Sequence, residues 1–166
     1  GTTDIALNPT NTTLGFVGSK VVGSHEGEFE KLDGKVSFSG TDAASAKIEI
    51  TVDTGSVKTD NEMFTNHLKD GDFFDVAAHP TATFRSTRIT AGAKEGTHTV
   101  VGDLSIRGAA KQVTFPAKVY LDDKLFNAES EFVINRKDFG MVYPGKPDNL
   151  INDEVVIKIS IQSKRI

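Results

Sequence analysis

The chain has 166 residues, a formal net charge of −4 and no cysteine. Thiolate metal sites and disulfides are therefore excluded, while the redox compartment is left open. The scattered Lys and Arg argue against a nucleic-acid surface, which needs clustered cations to displace counterions. The size fits one domain over residues 1–166 with a single core, and no stretch reaches the roughly 20 apolar residues of a spanning helix. Gly1 without an initiating methionine points to a processed or trimmed start.

In chain order, a first strand is expected from Leu14 to Val22, followed by apolar alternation at Val36 and Phe38 and at Ala46, Ile48, Ile50 and Val52. Lys47, Glu49 and Thr51 fill the opposite parity, the pattern of a sheet wet on one face and apolar on the other. The stretch Asn61 to Phe84 interrupts this pattern. Thr59 with Glu62 fits a capping box, and Met63, Phe64, His67 and Leu68 fall on one helical face before Gly71. Phe73 and Phe74 follow, so the segment reads as a short helical plug or lid over a barrel end.

Alternation resumes at Ala82, Phe84 and Ser86, at Val100 to Ile106, at Val113 to Leu121, at Phe126 to Ile134 and at Val155 to Ile161. Turn signals stand between the segments at Asp33-Gly34, Gly40-Thr41-Asp42, Ala91-Gly92, Arg107-Gly108 and Asp122-Asp123. The longest irregular connection runs from Tyr143 to Asn152. About eight antiparallel strands result, which bury their apolar faces either in an up-and-down barrel or in a two-sheet sandwich.

Residues with chemical potential are few. His67 is a candidate acid-base group with Asp72 as partner, but no activated serine motif accompanies it, and anchoring of the helix is the preferred reading. His25-Glu26-Gly27-Glu28 lacks metal-ligand geometry, since alternate strand residues face opposite ways; no metal is expected. His79 reads as structural and His98 as solvated in a polar loop. Asp138-Phe139-Gly140 resembles a kinase metal motif without the rest of a kinase. Arg136 is expected to satisfy backbone carbonyls or a carboxylate near the barrel end, with an anion contact as the alternative.

Eleven phenylalanines against two tyrosines and no tryptophan give an apolar interior without fixed hydrogen bonds to a ligand. An ordinary packed core would share this composition. Small residues on the inward parity, Ala46, Ala82, Ser86, Gly102, Ala117 and Ala128, leave room for a cavity, and an eight-stranded barrel holds one small ligand when its inner residues are small.

These pieces, in order, carry a family resemblance. Gly27-x-Phe29, Ser56-Val57-x-Thr59, His67-Leu68-x-x-x-Asp72-Phe73-Phe74-Asp75, Pro80 and Phe84-x-Ser86 are followed by Val101-Gly102-Asp103-Leu104, Gly108, Ile134-Asn135-Arg136-x-Asp138-Phe139-Gly140 and Asp153-Glu154-Val155. The chain resembles the YceI-like family of lipocalin-like proteins that bind polyisoprenoids and related lipids. The resemblance implies a lipid in the barrel lumen and an extracytoplasmic, commonly periplasmic, location. Where many members carry Arg-Asp ahead of the helix His-Leu pair, this chain has Phe64-Thr65-Asn66, which implies a less charged head group.

The reading is an all-β, eight-stranded antiparallel up-and-down barrel with a short helical insert after the early strands. It would carry or store a long isoprenoid or similar apolar lipid without catalysis and without a cofactor, a quinone-like lipid being one candidate ligand. The expected ligand contacts are Phe38, Ile48, Ile50, Met63, Phe64, His67, Leu68, Phe73, Phe74, Phe84, Leu104, Ile106, Phe115, Phe132, Ile134, Arg136 and Phe139. Transient membrane contact and a homodimer are compatible with it. The competing readings are a compact β structural or interaction module with a filled core, and a small hydrolase or isomerase using His67.

Overall fold

The structure, a computed structural model, describes residues 2–164. Its strands are β1 (Thr2–Leu7), β2 (Thr12–Lys20), β3 (Ser24–Phe29), β4 (Leu32–Ser39), β5 (Asp42–Asp53), β6 (Val57–Thr59), β7 (Thr81–Ala91), β8 (Thr97–Ile106), β9 (Ala109–Leu121), β10 (Leu125–Asn135), β11 (Gly145–Lys146) and β12 (Asn149–Lys164). Helix α1 (Glu62–Leu68) lies between β6 and β7, and 3-10 turns occupy Thr54–Ser56 and Arg136–Phe139. All strand pairings among the described residues are antiparallel.

Six of these segments are halves of three bent strands. Leu7 faces Gly34 and, further along the same hairpin, Gly15 faces Glu28, so β1 and β2 run as one strand against β4 and β3. Likewise Leu32 faces Val52 while Phe29 faces Val57, which makes β5 and β6 one strand. With each bent strand taken once, the barrel has eight: β1/β2, β3/β4, β5/β6, β7, β8, β9, β10 and β12, and β11 is a side ladder on β12. Pairing of β12 with β2 joins the last strand to the first and completes the ring. The structure is therefore the expected all-β antiparallel barrel, and not the two-sheet sandwich that alternation alone also allowed.

Several local expectations are corrected. Asp33-Gly34 is not a turn but lies inside β4, where a side chain on Gly34 would collide with the Glu49 carbonyl of β5. The real bend sits at Glu30 and Lys31, held by Ser56, whose Oγ accepts from Lys31 N at 2.9 Å. The first long strand ends at Lys20, leaving Val21 and Val22 in the turn. The 143–152 connection contains β11 and the start of β12. His98 belongs to β8 and is half-buried. Arg107-Gly108 is the expected tight turn, with φ of 55° and 76°.

One wall is incompletely zipped. Strands β9 and β10 pair through Phe126 to Glu129 against Leu121 to Lys118, and the ladder stops there. Pro116 supplies the reason, since its carbonyl faces β10, accepting from Ser130 Oγ, while its nitrogen has no proton to donate. Beyond it the strands are tied by stacking of Phe115 on Phe132, with ring centroids 4.1 Å apart and planes at 7°.

Candidate functional site

The inward faces enclose an apolar cavity of about 170 Å³. That is similar to the ~150 Å³ apolar cavity known to stay dry and admit benzene. Ile48 and Ile50 of β5, Phe84 of β7, Leu104 and Ile106 of β8, Phe115 of β9, and Phe132 and Ile134 of β10 line its walls. Val155, Ile157, Ile159 and Ile161 of β12 complete them, though alternation marked this face without singling these residues out as contacts. Leu14, Phe16 and Phe29 also line it and were missed, because β2 and β3 are rich in glycine and charge and show weak alternation.

Not all the small inward residues leave free space. Ala82, Ala117 and Ala128 border the cavity. The room at Gly102 is instead filled by the Phe84 ring, which lies 2.6 Å from where a Cβ would stand, and Phe16 covers Gly27 in the same way at 2.5 Å. Here glycine permits close ring-to-backbone packing rather than a void.

The 61–80 segment crosses the end of the barrel. Its helix is capped by Asn61, whose side chain accepts from Phe64 N at 3.0 Å, while Thr59 bonds Thr65; the expected Thr59–Glu62 box does not form. Leu68, Phe73 and Phe74 are buried over the lumen, and Phe64 closes one side of it. Phe74 contacts Phe16 and Phe29 edge-on, with centroids 6.2 and 5.5 Å away. Phe64 packs on His25 at 4.5 Å, with Lys20 Nζ 5.8 Å from its ring centre. At the far side Thr54 Oγ1 donates to His79 O, and Thr54 N to Pro80 O, so both ends of the cover are tied to the wall.

Met63 departs from the expected apolar helix face: it is 84% exposed and turned away from the cavity. A helix this short presents one narrow stripe, and Phe64 with Leu68 fill it. His67 does not border the cavity either. Its Nε2 is 2.8 Å from Asp72 Oδ2, and its ring meets Phe73 and Tyr143 edge-on at 4.8 and 5.0 Å. Asp70 is 3.8 Å from the same nitrogen, and its side chain caps Asp72 N. This outer cluster braces the cover against the loop carrying Tyr143.

Arg136 borders the lid end of the cavity but is committed to the protein. Nε donates to Asn152 O at 3.0 Å, and the terminal nitrogens donate to Met141 O and Ile151 O. Burial lowers its pKa below the ordinary guanidinium value, and Asp153, 3.8 Å away, opposes that shift. Phe139 is buried in the 3-10 turn beneath it and does not reach the cavity. Phe38 lies at the opposite end of the barrel, stacked on Phe126. Besides Arg136, Ser19, Lys20 and His25 reach the lid-end lining, and sequence spacing gave no sign of these three.

An eight-stranded antiparallel barrel with an apolar lumen and an aromatic cover defines a class of small-ligand container. The YceI-like domain model matches residues 6–163, and the chain belongs to that family. A UPF0312 protein of Pseudomonas aeruginosa (strain LESB58) is 31% identical over 145 residues, 84% of this chain and 73% of that protein. Protein YceI of Escherichia coli O157:H7 is 32% identical over 145 residues, 83% and 74% of the two chains. A UPF0312 protein of Ectopseudomonas mendocina matches 92 residues at 38% identity, covering 55% of this chain and 48% of its own length. Among solved structures, Burkholderia cenocepacia BcnA superposes with a TM-score of 0.83 at 27% identity, covering 92% and 96% of the chains. A polyisoprenoid binding domain from Saccharophagus degradans superposes over 100% of both chains with a TM-score of 0.77 at 15% identity, a likeness of fold.

Proposed function

We propose that the protein binds an isoprenoid or similar apolar chain in its lumen and carries or stores it, without catalysis, in an extracytoplasmic compartment. The observation that carries this reading is the covered, almost wholly apolar cavity. Family membership supports it, as does the polyisoprenoid binding of the Saccharophagus degradans domain that shares the fold. His67 turns away from the cavity toward Asp72, which removes the support for acid-base chemistry in the lumen. Each buried methylene contributes about 0.8 kcal/mol, so one isoprene unit gains roughly 3 to 4 kcal/mol before the cost of ordering the tail.

The head group stays at the lid end, because a charge cannot be stripped of water cheaply. Arg136 is spent on carbonyls and Lys20 leans over Phe64, so a neutral or weakly polar head fits best. Loading then occurs against a lipid surface. Val21 and Val22 are 68% and 72% exposed at the β2–β3 turn, beside Lys20, and Val21 N donates to the carbonyl of half-exposed Leu150. No helix among the described residues is long and apolar enough to cross a membrane. Competition between geranylgeraniol and its diphosphate for the lumen tests the head-group reading: equal or tighter binding of the alcohol is expected, and strong preference for the diphosphate would refute it.

A further inference from the structure

We infer that the Phe38–Phe126 ring pair is the floor of the lumen and sets the length of apolar chain it accepts. This inference rests on the lumen being the binding site. Phe38 stands on β4 and Phe126 on β10, separated in the ring by β12 and the bent strand β1/β2, and their rings stack across that gap with centroids 5.6 Å apart and planes at 10°. Neither is more than 1% exposed. On β10, Ala128 borders the cavity, and Phe126 is the next inward residue beyond it. On the opposite wall Ile48 borders the cavity and pairs with Val36, and Phe38 is the next inward residue beyond Val36. Both walls thus change from small or aliphatic lining to a stacked aromatic pair at one level.

The cavity lining includes Ile48 and Ala128 but neither Val36, Phe38 nor Phe126, so the lumen stops short of the pair. The open stretch along β10 runs from Ile134 to Ala128. At about 3.3 Å per residue and a strand tilt near 40°, that is roughly 15 Å of depth. A chain longer than this must fold back or leave its end at the lid. Removing one ring deepens the lumen by a volume comparable to one isoprene unit and leaves the upper walls untouched.

The test is a chain-length series, measuring dissociation constants for geraniol, farnesol, geranylgeraniol and geranylfarnesol with the wild-type protein and with Phe126→Ala and Phe38→Ala. Phe126→Leu and Phe38→Leu serve as milder variants should the alanine forms fold poorly, and unchanged geraniol affinity reports an intact upper lumen. The expected result is an optimum displaced to the next longer alcohol, with that homologue bound roughly tenfold tighter than by wild type, a gain of about 1.4 kcal/mol. An optimum that stays at the wild-type length in folded variants overturns the floor while leaving the binding function standing. Failure of wild type to bind any alcohol overturns the functional reading and the floor with it.

Discussion

Arg136 shows how one buried side chain can organise a barrel end. Its planar fork matches three carbonyls that point in different directions, and a flexible ammonium cannot reproduce that pattern. Arg136→Gln should leave at least one buried acceptor unpaired and destabilise the protein by about 1 to 3 kcal/mol, and Arg136→Lys should not restore it. Urea unfolding checks both, and an unchanged midpoint would contradict the assignment. Asp122 makes a smaller contribution at the other end of the barrel. Its carboxylate accepts from Lys124 N and Leu125 N, which hold its pKa below the ordinary aspartate value, with a further bond from the Tyr120 hydroxyl. A carboxyl that binds protons less readily when folded stabilises the fold above its unfolded pKa, and the contribution is lost as pH falls through the folded one. Wild type should therefore lose more stability than Asp122→Asn on acidification below pH ~4, measured by thermal unfolding.

At the scale of elements, the cover and the seam differ in how visible they are in sequence. The helical insert was legible from its spacing and from Phe73-Phe74, and the structure places Phe64, Leu68, Phe73 and Phe74 over the cavity. Its details were not. Asn61 wins the cap from Thr59 because Thr59 continues β6, and Met63 faces out because seven residues expose more helix surface than the barrel end can bury. Phe64→Ser should accelerate ligand release by about tenfold or more, since it removes most of an apolar side chain worth about 1.5 to 3 kcal/mol on burial, whereas Met63→Ser should leave it unchanged. Stopped-flow release of a fluorescent apolar probe distinguishes them, and equal effects would show that the helix does not act as a lid. The β9–β10 seam was invisible in the alternation, because Val113, Phe115, Phe126, Phe132 and Ile134 keep perfect inward parity across a ladder that Pro116 interrupts.

For the whole molecule, period-two alternation was enough to give an all-antiparallel β class because most long strands have one wet face, while the choice of a barrel over a two-sheet sandwich came with the family resemblance. What the alternation did not show is the bends that split three strands, such as the one at Glu30-Lys31. The wall residues were legible for the same reason as the strands. The lid-end polar groups Ser19, Lys20 and His25 were not, since their approach depends on how β2 and β3 curl under the helix. The barrel itself answers two needs: it satisfies the backbone hydrogen bonds of most of its wall, and it leaves a space that only apolar matter fills without loss. The most direct measurement is organic extraction and mass spectrometry of the protein purified from its own host, alongside Phe115→Asp, which sets a carboxylate against Phe132 and is checked for folding by circular dichroism. The account predicts an apolar chain lipid bound to wild type in near one-to-one amount and absent from folded Phe115→Asp. Lipid-free wild type that also takes up no prenyl alcohol would contradict it.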